Sequence, residues 1–178
     1  PKGISSFNAV YKIKKKFNLK KIGHGGTLDP LAEGVLPIAI GKTTKLIPFI
    51  NKNIKEYEFK IKWCEQTTTD DSEGKVIARS LKIPSPLEIN NQILKLKGSI
   101  LQKPPLASAI KINGKKAYQL LRANKNFEIK ERLVFLDEVA LIDSQEQTSK
   151  FFIRCGKGFY IRSFARDLGE KLETKAHI

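Results

Sequence analysis

The residues best able to do chemistry lie in one glycine-rich segment, residues 23–37, which contains His24 and Asp29. Asp29 is the first acidic residue of the chain, and seven lysines precede it. Nearby positive charge favours the ionised form of a carboxylate, so we expect Asp29 to be charged at neutral pH. Pro30 pushes Asp29 away from the helical conformation and toward an extended one. The segment therefore predicts a reactive carboxylate on a stiff turn, with an ordinary Asp-Pro turn as the alternative.

Three further residues are candidates for contacts with a substrate. His24 among glycines suits stacking on a base or contact with a phosphate, and a hydrogen-bonded loop histidine is the alternative. Tyr57 is in phase with the buried face of a predicted strand. It is a candidate for contact with a substrate, and a tyrosine packed in the core is the alternative. Arg162 follows a loop with two glycines and could pair with a carboxylate or a phosphate, or lie exposed on a helix.

The distribution of charge indicates a polyanionic partner. The 178 residues carry a net charge of +15. Residues 1–62 hold 13 lysines against four acids, and residues 90–126 hold eight basic residues and no acid. Long basic stretches without acids are typical of proteins that bind nucleic acid. An anionic membrane is the competing partner, but no apolar run in the sequence has a spanning length, so we expect no membrane association.

Cysteine and histidine usage argues against a metal centre. Cys64 and Cys155 are far apart, and the two histidines are His24 and His177. These residues offer no zinc-like spacing, so we expect no metal. No targeting segment is visible, which favours a cytoplasmic protein. The sequence lacks an initial methionine, and its end has no helix-stop chemistry. We therefore expect a domain that is truncated at both ends.

Helix signals recur along the chain. Ser5 and Ser6 are typical N-cap residues, and the apolar residues that follow at helical spacing up to Phe17 predict a first helix. Ser85 and Glu88 form a capping box, which predicts a helix that runs to about residue 96. Residues 43–49 are predicted to form a short helix or a turn, and further predicted helices cover residues 117–123 and 161–172.

The clearest strand signal is residues 55–63, where apolar and charged residues alternate with a period of two. Residues 75–80 are interpreted as the returning strand of its hairpin, after a polar turn over residues 67–74. Asn113-Gly114 predicts another hairpin turn. The other predicted strands cover residues 35–40, which we expect to be buried, 107–112, 133–142 and 151–155. This order predicts an α+β fold with a mixed, mostly antiparallel central sheet flanked by helices.

Taken in order, the motifs resemble the TruB family of tRNA pseudouridine-55 synthases. The resemblance begins with GHGGTLDPLA at residues 23–32 and GVLP at residues 34–37. It closes with CGKGFYIR at residues 155–162 and DLG at residues 167–169. Matching segments between these are GKTTK (41–45), KEY (55–57), the polar turn 67–74, QKPP (102–105) and SAIK (108–111). The resemblance implies one pseudouridine synthase catalytic domain over residues 1–178.

The resemblance also implies an activity: isomerisation of the T-loop uridine at position 55 of tRNA to pseudouridine, with no metal or cofactor. Asp29 matches the catalytic aspartate, Tyr57 the tyrosine that stacks on the target base, and Arg162 the arginine that pairs with the aspartate. His24 matches the histidine that occupies the space left by the flipped base. The remaining RNA contacts that we expect fall in matching segments, at Gly25, Lys45, Lys111 and Tyr160.

The chain departs from the family pattern at a few positions. Gly156 and Phe159 stand where the family usually has Ser and Thr, and Thr68 where it often has Asp. Phe159 is a large change close to the expected pocket. The C-terminal RNA-binding domain that many members carry is not in this sequence. We expect a monomer that binds the T arm. The alternatives are a non-catalytic tRNA-binding or folding module and a pseudouridine synthase for another RNA.

Overall fold

In the computed structural model, which describes residues 1–50 and 54–178, the chain divides into two units, Pro1–Asn53 and Ile54–Ile178. The helices are α1 (Ser6–Lys16), α2 (Ile47–Ile50), α3 (Pro86–Ile93), α4 (Ala117–Arg122) and α5 (Ile161–Lys171), with 3₁₀ turns over Gly41–Leu46 and Leu94–Leu96. The strands are β1 (Ile22–His24), β2 (Ile38–Ile40), β3 (Lys55–Trp63), β4 (Glu65–Thr67), β5 (Val76–Arg79), β6 (Gly98–Gln102), β7 (Lys111–Ile112), β8 (Lys115–Lys116), β9 (Arg132–Gln145), β10 (Thr148–Cys155) and β11 (Ala176–His177).

In the first unit, α1 is followed by the antiparallel pair β1–β2, which aligns Gly23 with Ala39. The predicted cap is present, since Ser5 Oγ accepts a hydrogen bond from the Asn8 N–H at 3.2 Å. The predicted buried strand over residues 35–40 is wrong in its first half and in its burial. Only Ile38–Ile40 forms a strand, its residues are half-buried or exposed, and Val35 is 90% exposed. Pro37 explains the late start of the strand, because a proline has no N–H to contribute to a ladder.

The second unit is built on a five-stranded antiparallel sheet with the order β11-β3-β10-β9-β6. Residues on the inner face of β3 alternate with exposed residues, as the sequence predicts. Helices α3 and α5 cover this sheet with apolar residues, and the core includes Trp63, Ile89, Phe151 and Leu168. The α+β class with a mostly antiparallel sheet is confirmed.

The predicted hairpin between residues 55–63 and 75–80 is wrong. Strand β5 pairs with β4, whereas β3 pairs with β10 on one side and β11 on the other. Cys64, between β3 and β4, has a φ of 73°. A left-handed residue with a side chain breaks an extended strand, so the chain leaves the large sheet at this point.

The predicted strand over residues 107–112 is shortened to Lys111–Ile112, because the preceding backbone bonds elsewhere. The carbonyl of Ser108 accepts from the Tyr118 N–H at 3.0 Å, and that of Ile110 accepts from the Ala117 N–H at 2.8 Å. The hairpin turn itself is confirmed by the β7–β8 pairing. Asn113 and Gly114 both have positive φ, 48° and 80°, as a type I′ turn requires. Within the described ranges, no helix has the length and apolar character needed to cross a membrane.

Candidate active site

In the first unit, the loop that carries Asp29 is fixed by the first residue of α1. Ser6 is 4% exposed. Its hydroxyl donates to the Leu28 carbonyl at 3.2 Å and accepts from the Leu28 N–H at 2.9 Å. On the other side of Asp29, the Pro30 carbonyl accepts from the Gly3 N–H at 2.8 Å. The backbone is therefore held immediately before and after Asp29, and a short polar residue at position 6 is needed for the first contact.

His24 ends β1 and is half-buried. Its Nδ1 forms a hydrogen bond with the carbonyl of Gly26, so Nδ1 carries a proton and Nε2 is the other nitrogen available to a ligand. The next residue, Gly25, is buried and donates its N–H to the Pro37 carbonyl at 2.8 Å. The hydrogen bond between His24 and Gly26 agrees with the alternative interpretation, a hydrogen-bonded loop histidine. The contact of His24 with RNA stays a prediction. Lys45 is exposed on the 3₁₀ turn Gly41–Leu46 of the same unit.

In the second unit, Arg162 lies in the first turn of α5 with its side chain only 7% exposed. An exposed helix arginine is thus the wrong interpretation. NH1 donates to the Thr69 carbonyl at 3.0 Å and lies 3.3 Å from Asp71 Oδ2. NH2 donates to the Ala107 carbonyl at 3.2 Å. A buried guanidinium needs such partners, because losing water without replacement is costly.

Asp71 is a further candidate site residue, because it pairs with Arg162, and the sequence does not single it out because it stands in a turn of common turn residues. One carboxylate oxygen, Oδ1, accepts from the Thr69 hydroxyl at 2.5 Å and from the Glu73 N–H at 3.0 Å. The other, Oδ2, is left for Arg162. The Thr67 hydroxyl donates to the Asp71 carbonyl at 2.6 Å. The turn therefore aims one carboxylate oxygen at the arginine.

The other predicted residues of the second unit lie on three different elements. Tyr57 is half-buried on β3 opposite Ile153 and packs against the core. Tyr160 is half-buried at the N-cap position of α5, and the buried side-chain amide of Gln102 binds its backbone. Lys111 is exposed in the β7–β8 hairpin. Tyr160 and Arg162 are thus brought together by α5, while Lys111 belongs to a separate hairpin.

Two of the departures from the family pattern have structural explanations. Phe159 packs on Phe164 with ring centroids 6.1 Å apart, so it extends the apolar core. Gly156 lies against Phe135, and a Cβ at position 156 would meet Phe135 Cβ at 3.3 Å. Its N–H also donates to the Phe135 carbonyl at 2.8 Å. The loop before α5 is therefore drawn closely against β9.

Among residues 1–50 and 54–178, no group of three or more His, Cys, Asp and Glu side chains could hold a metal ion. Burial raises the pKa of the Cys155 thiol to about 12, so this thiol stays protonated and is a poor nucleophile.

Residues 14–161 match the model for the TruB family pseudouridylate synthase (N terminal domain). The chain belongs to the TruB family. It is 48% identical over 179 residues to tRNA pseudouridine synthase B of Bartonella bacilliformis, covering 100% of this chain and 56% of that protein. It is 47% identical over 180 residues to the protein of the same name from Wolbachia pipientis, covering 100% and 51%. The chain thus spans about half the length of these TruB relatives.

Solved structures agree with this assignment to the TruB family. A chain in the crystal structure of a Cbf5-Nop10-Gar1 complex superposes with a TM-score of 0.72 at 28% identity. The match covers 99% of this chain and 44% of that chain. The likeness confirms the fold expected from the sequence.

Proposed function

We propose that this chain is the catalytic domain of an enzyme that converts a uridine of tRNA to pseudouridine, and that its target is the T-loop uridine at position 55. The observation that carries the proposal is the identity of 48% over the whole chain with a protein named tRNA pseudouridine synthase B. The strong positive charge supports an RNA partner, since lysines neutralise backbone phosphates.

The reaction requires that the glycosidic C–N bond breaks, that the uracil turns, and that a C–C bond forms in its place. A base inside a folded T loop is out of reach, so it must be flipped into a pocket. We propose that the Asp29 carboxylate then acts in one of two ways. It attacks the sugar or the base covalently, or it removes a sugar proton to give a glycal intermediate. Both routes need an ionised carboxylate and a fixed loop.

The remaining residues are proposed to hold the substrate and to set the charge of the aspartate. Tyr57 stacks on the target base, and Arg162 is the cation that keeps the aspartate ionised. His24 fills the space that the flipped base leaves. Further RNA contacts are proposed at Gly25, Lys45, Lys111 and Tyr160, with the lysines on the phosphate backbone. The buried setting of Arg162 supports a fixed, directional role over a loose phosphate contact.

We propose that the enzyme acts on the T arm as a monomer in the cytoplasm, with no metal or cofactor. The test is incubation of the chain with a T-arm hairpin RNA, followed by mapping of pseudouridine at single-nucleotide resolution. A hairpin with cytidine at the target position is the matched control. Product at the target position supports the proposal. Tight binding without product indicates a binding module, and product only in ribosomal or small nuclear RNA fragments indicates another RNA substrate.

A further inference from the structure

Two arginines one turn apart on α5 hold two adjacent carboxylates of the same turn. Arg162 NH1 lies 3.3 Å from Asp71 Oδ2, and Arg166 NH1 lies 2.9 Å from Asp70 Oδ2. The first pair belongs to the candidate active site. The second pair lies on the same helix but has no role in the chemistry described above.

Arg166 joins three segments of the chain through all of its guanidinium nitrogens. Nε and NH2 donate to Asp167 Oδ1 at 2.9 and 2.7 Å, and NH2 also donates to the Lys103 carbonyl at 2.7 Å. NH1 donates to Asp70. The side chains of Arg166 and Asp70 are only 15% and 9% exposed, so water screens this network weakly. A planar guanidinium can make these contacts together, whereas a lysine ammonium cannot reach all of them.

Asp70 stands between the two groups that meet Arg162. The Thr69 carbonyl before it and the Asp71 carboxylate after it both contact Arg162 NH1. Asp70 itself has a φ of 58°, a left-handed conformation that a non-glycine residue adopts at a cost. A change of φ at Asp70 would alter the position of the Thr69 carbonyl relative to the Asp71 carboxylate, and Arg162 NH1 could then no longer meet both in the same geometry. The hydrogen bond from Arg166 NH1 to Asp70 Oδ2 holds the Asp70 side chain, and this contact favours the left-handed backbone conformation at position 70.

We propose that Arg166 and Asp70 are positioning residues for Arg162: their ion pair locks the turn over residues 67–74 against α5 so that Thr69 and Asp71 hold the Arg162 guanidinium in one orientation. The proposal rests on the proposed function, in which Arg162 serves the reacting aspartate. The charge of Arg166 supports this role of the ion pair. Burial raises the pKa of the Asp70 carboxyl, and the neighbouring guanidinium of Arg166 opposes that rise. The arginine thus favours the ionised form of Asp70, and the contact itself is a hydrogen bond from NH1 to an acceptor oxygen at position 70.

The test compares Asp70→Ala, Asp70→Asn and a control, Thr174→Val, that removes the hydrogen bond of another buried polar side chain. Thr174 is buried and donates to the Lys82 carbonyl at 2.6 Å, away from the turn. We expect Asp70→Ala to lower kcat about 10- to 100-fold with KM within about threefold, as for a misplaced active-site group. Asp70→Asn keeps an oxygen acceptor for Arg166 NH1, so kcat stays within about threefold of the parent. Thr174→Val keeps the parent kcat at temperatures where it is folded.

A second measurement reports on Arg162 without any turnover. The Nε–H resonance of Arg162, assigned by its loss in Arg162→Lys, should be sharp in the parent and in Asp70→Asn but broadened in Asp70→Ala. If the parent forms no pseudouridine, the proposed function fails, and this spectrum still decides the positioning role. A sharp, unshifted Arg162 resonance in Asp70→Ala would overturn the positioning role, as would a kcat loss in Asp70→Ala no greater than in Thr174→Val.

Discussion

Gln102 holds the backbone of Tyr160 with both ends of its side-chain amide. Its Oε1 accepts from the Tyr160 N–H at 2.8 Å, and its Nε2 donates to the Tyr160 carbonyl at 3.1 Å. The residue is 2% exposed, so water cannot replace either contact. Tyr160 is the N-cap residue of α5, and this amide therefore fixes the point from which the helix carrying Arg162 begins.

We expect Gln102→Glu to lower the free energy of unfolding by about 1–3 kcal/mol at pH 8 and by less at pH 5. The ionised carboxylate has no proton to donate to the Tyr160 carbonyl, whereas the protonated form has one. Burial raises the pKa of this new carboxyl above its value in the unfolded chain. Its contribution to stability is therefore present at low pH and is lost as the pH rises through the raised pKa. Urea unfolding at both pH values measures the difference, and Gln102→Leu, which cannot ionise, should show the same deficit at both.

Arg162→Ala should reduce turnover far more than RNA affinity, because we propose that Arg162 acts on the aspartate and not on a phosphate. It should also destabilise the fold by about 3–5 kcal/mol, since it leaves the buried carboxylate of Asp71 without its cation. The double variant Arg162→Ala/Asp71→Asn should lose less stability than the sum of the two single variants. Strict additivity would show that the 3.3 Å pair is not energetically coupled. A turnover defect explained wholly by weaker RNA binding would place Arg162 on the phosphate-contact surface.

Asp29→Asn should abolish pseudouridine formation while T-arm binding stays within a few-fold of the parent. Asn keeps the size and the turn preference of Asp, and the Ser6 contacts to Leu28 do not involve the carboxylate. The change removes negative charge, which can only favour binding to a polyanion. Single-turnover release of tritium from C5 of labelled uridine measures the chemistry, and a filter-binding titration measures affinity. Undiminished tritium release would remove Asp29 from the mechanism.

T-arm binding should weaken steeply with salt, because lysine–phosphate contacts release counterions. Lys111→Gln should reduce the slope of log affinity against log salt by about one, as expected for one lost phosphate contact. The control is Lys150→Gln, whose ammonium lies 2.8 Å from the Glu58 carboxylate and has its charge offset there. A flat salt dependence for the parent would contradict lysine–phosphate contacts in T-arm binding, and equal slopes for both variants would contradict a phosphate contact by Lys111.

Turnover should be insensitive to EDTA, because an ionised aspartate needs no metal to act as a nucleophile or base. The assay should use a T-arm hairpin whose folding without divalent ions has been verified by its melting curve. The same reactions with added Mg²⁺ serve as the reference. Loss of turnover that one specific divalent ion restores, on RNA that stays folded, would show that the enzyme depends on a metal.

Features that depend only on neighbours in the chain could be predicted before the fold was known. Period-two alternation identifies Lys55–Trp63 as a strand with one inner face, because side chains alternate across a strand regardless of its partners. The capping box of Ser85 and Glu88 is present, with the Glu88 carboxylate accepting from the Ser85 N–H at 2.8 Å. That hydrogen bond, together with those from the Ser85 hydroxyl and the Lys82 ammonium, lowers the pKa of Glu88 to about 2. Such signals are local, so propensity and hydrogen bonding within a few residues suffice to decide them.

Which strands pair and which polar residues become buried depend on the folded chain as a whole, and the sequence did not predict them. Residues 75–80 look like the partner of residues 55–63, but β3 has both of its edges occupied by distant strands. Asp71 looks like one more residue of a polar turn until α5 brings Arg162 to it from 91 positions further along the sequence. Strand pairing and charge burial depend on segments that meet only after folding. The free energy of a buried ion pair depends on both partners, so neither residue alone predicts it from the sequence. The identities of Asp29, Tyr57 and Arg162 were therefore readable as motif residues, whereas the contacts that hold Arg162 were not.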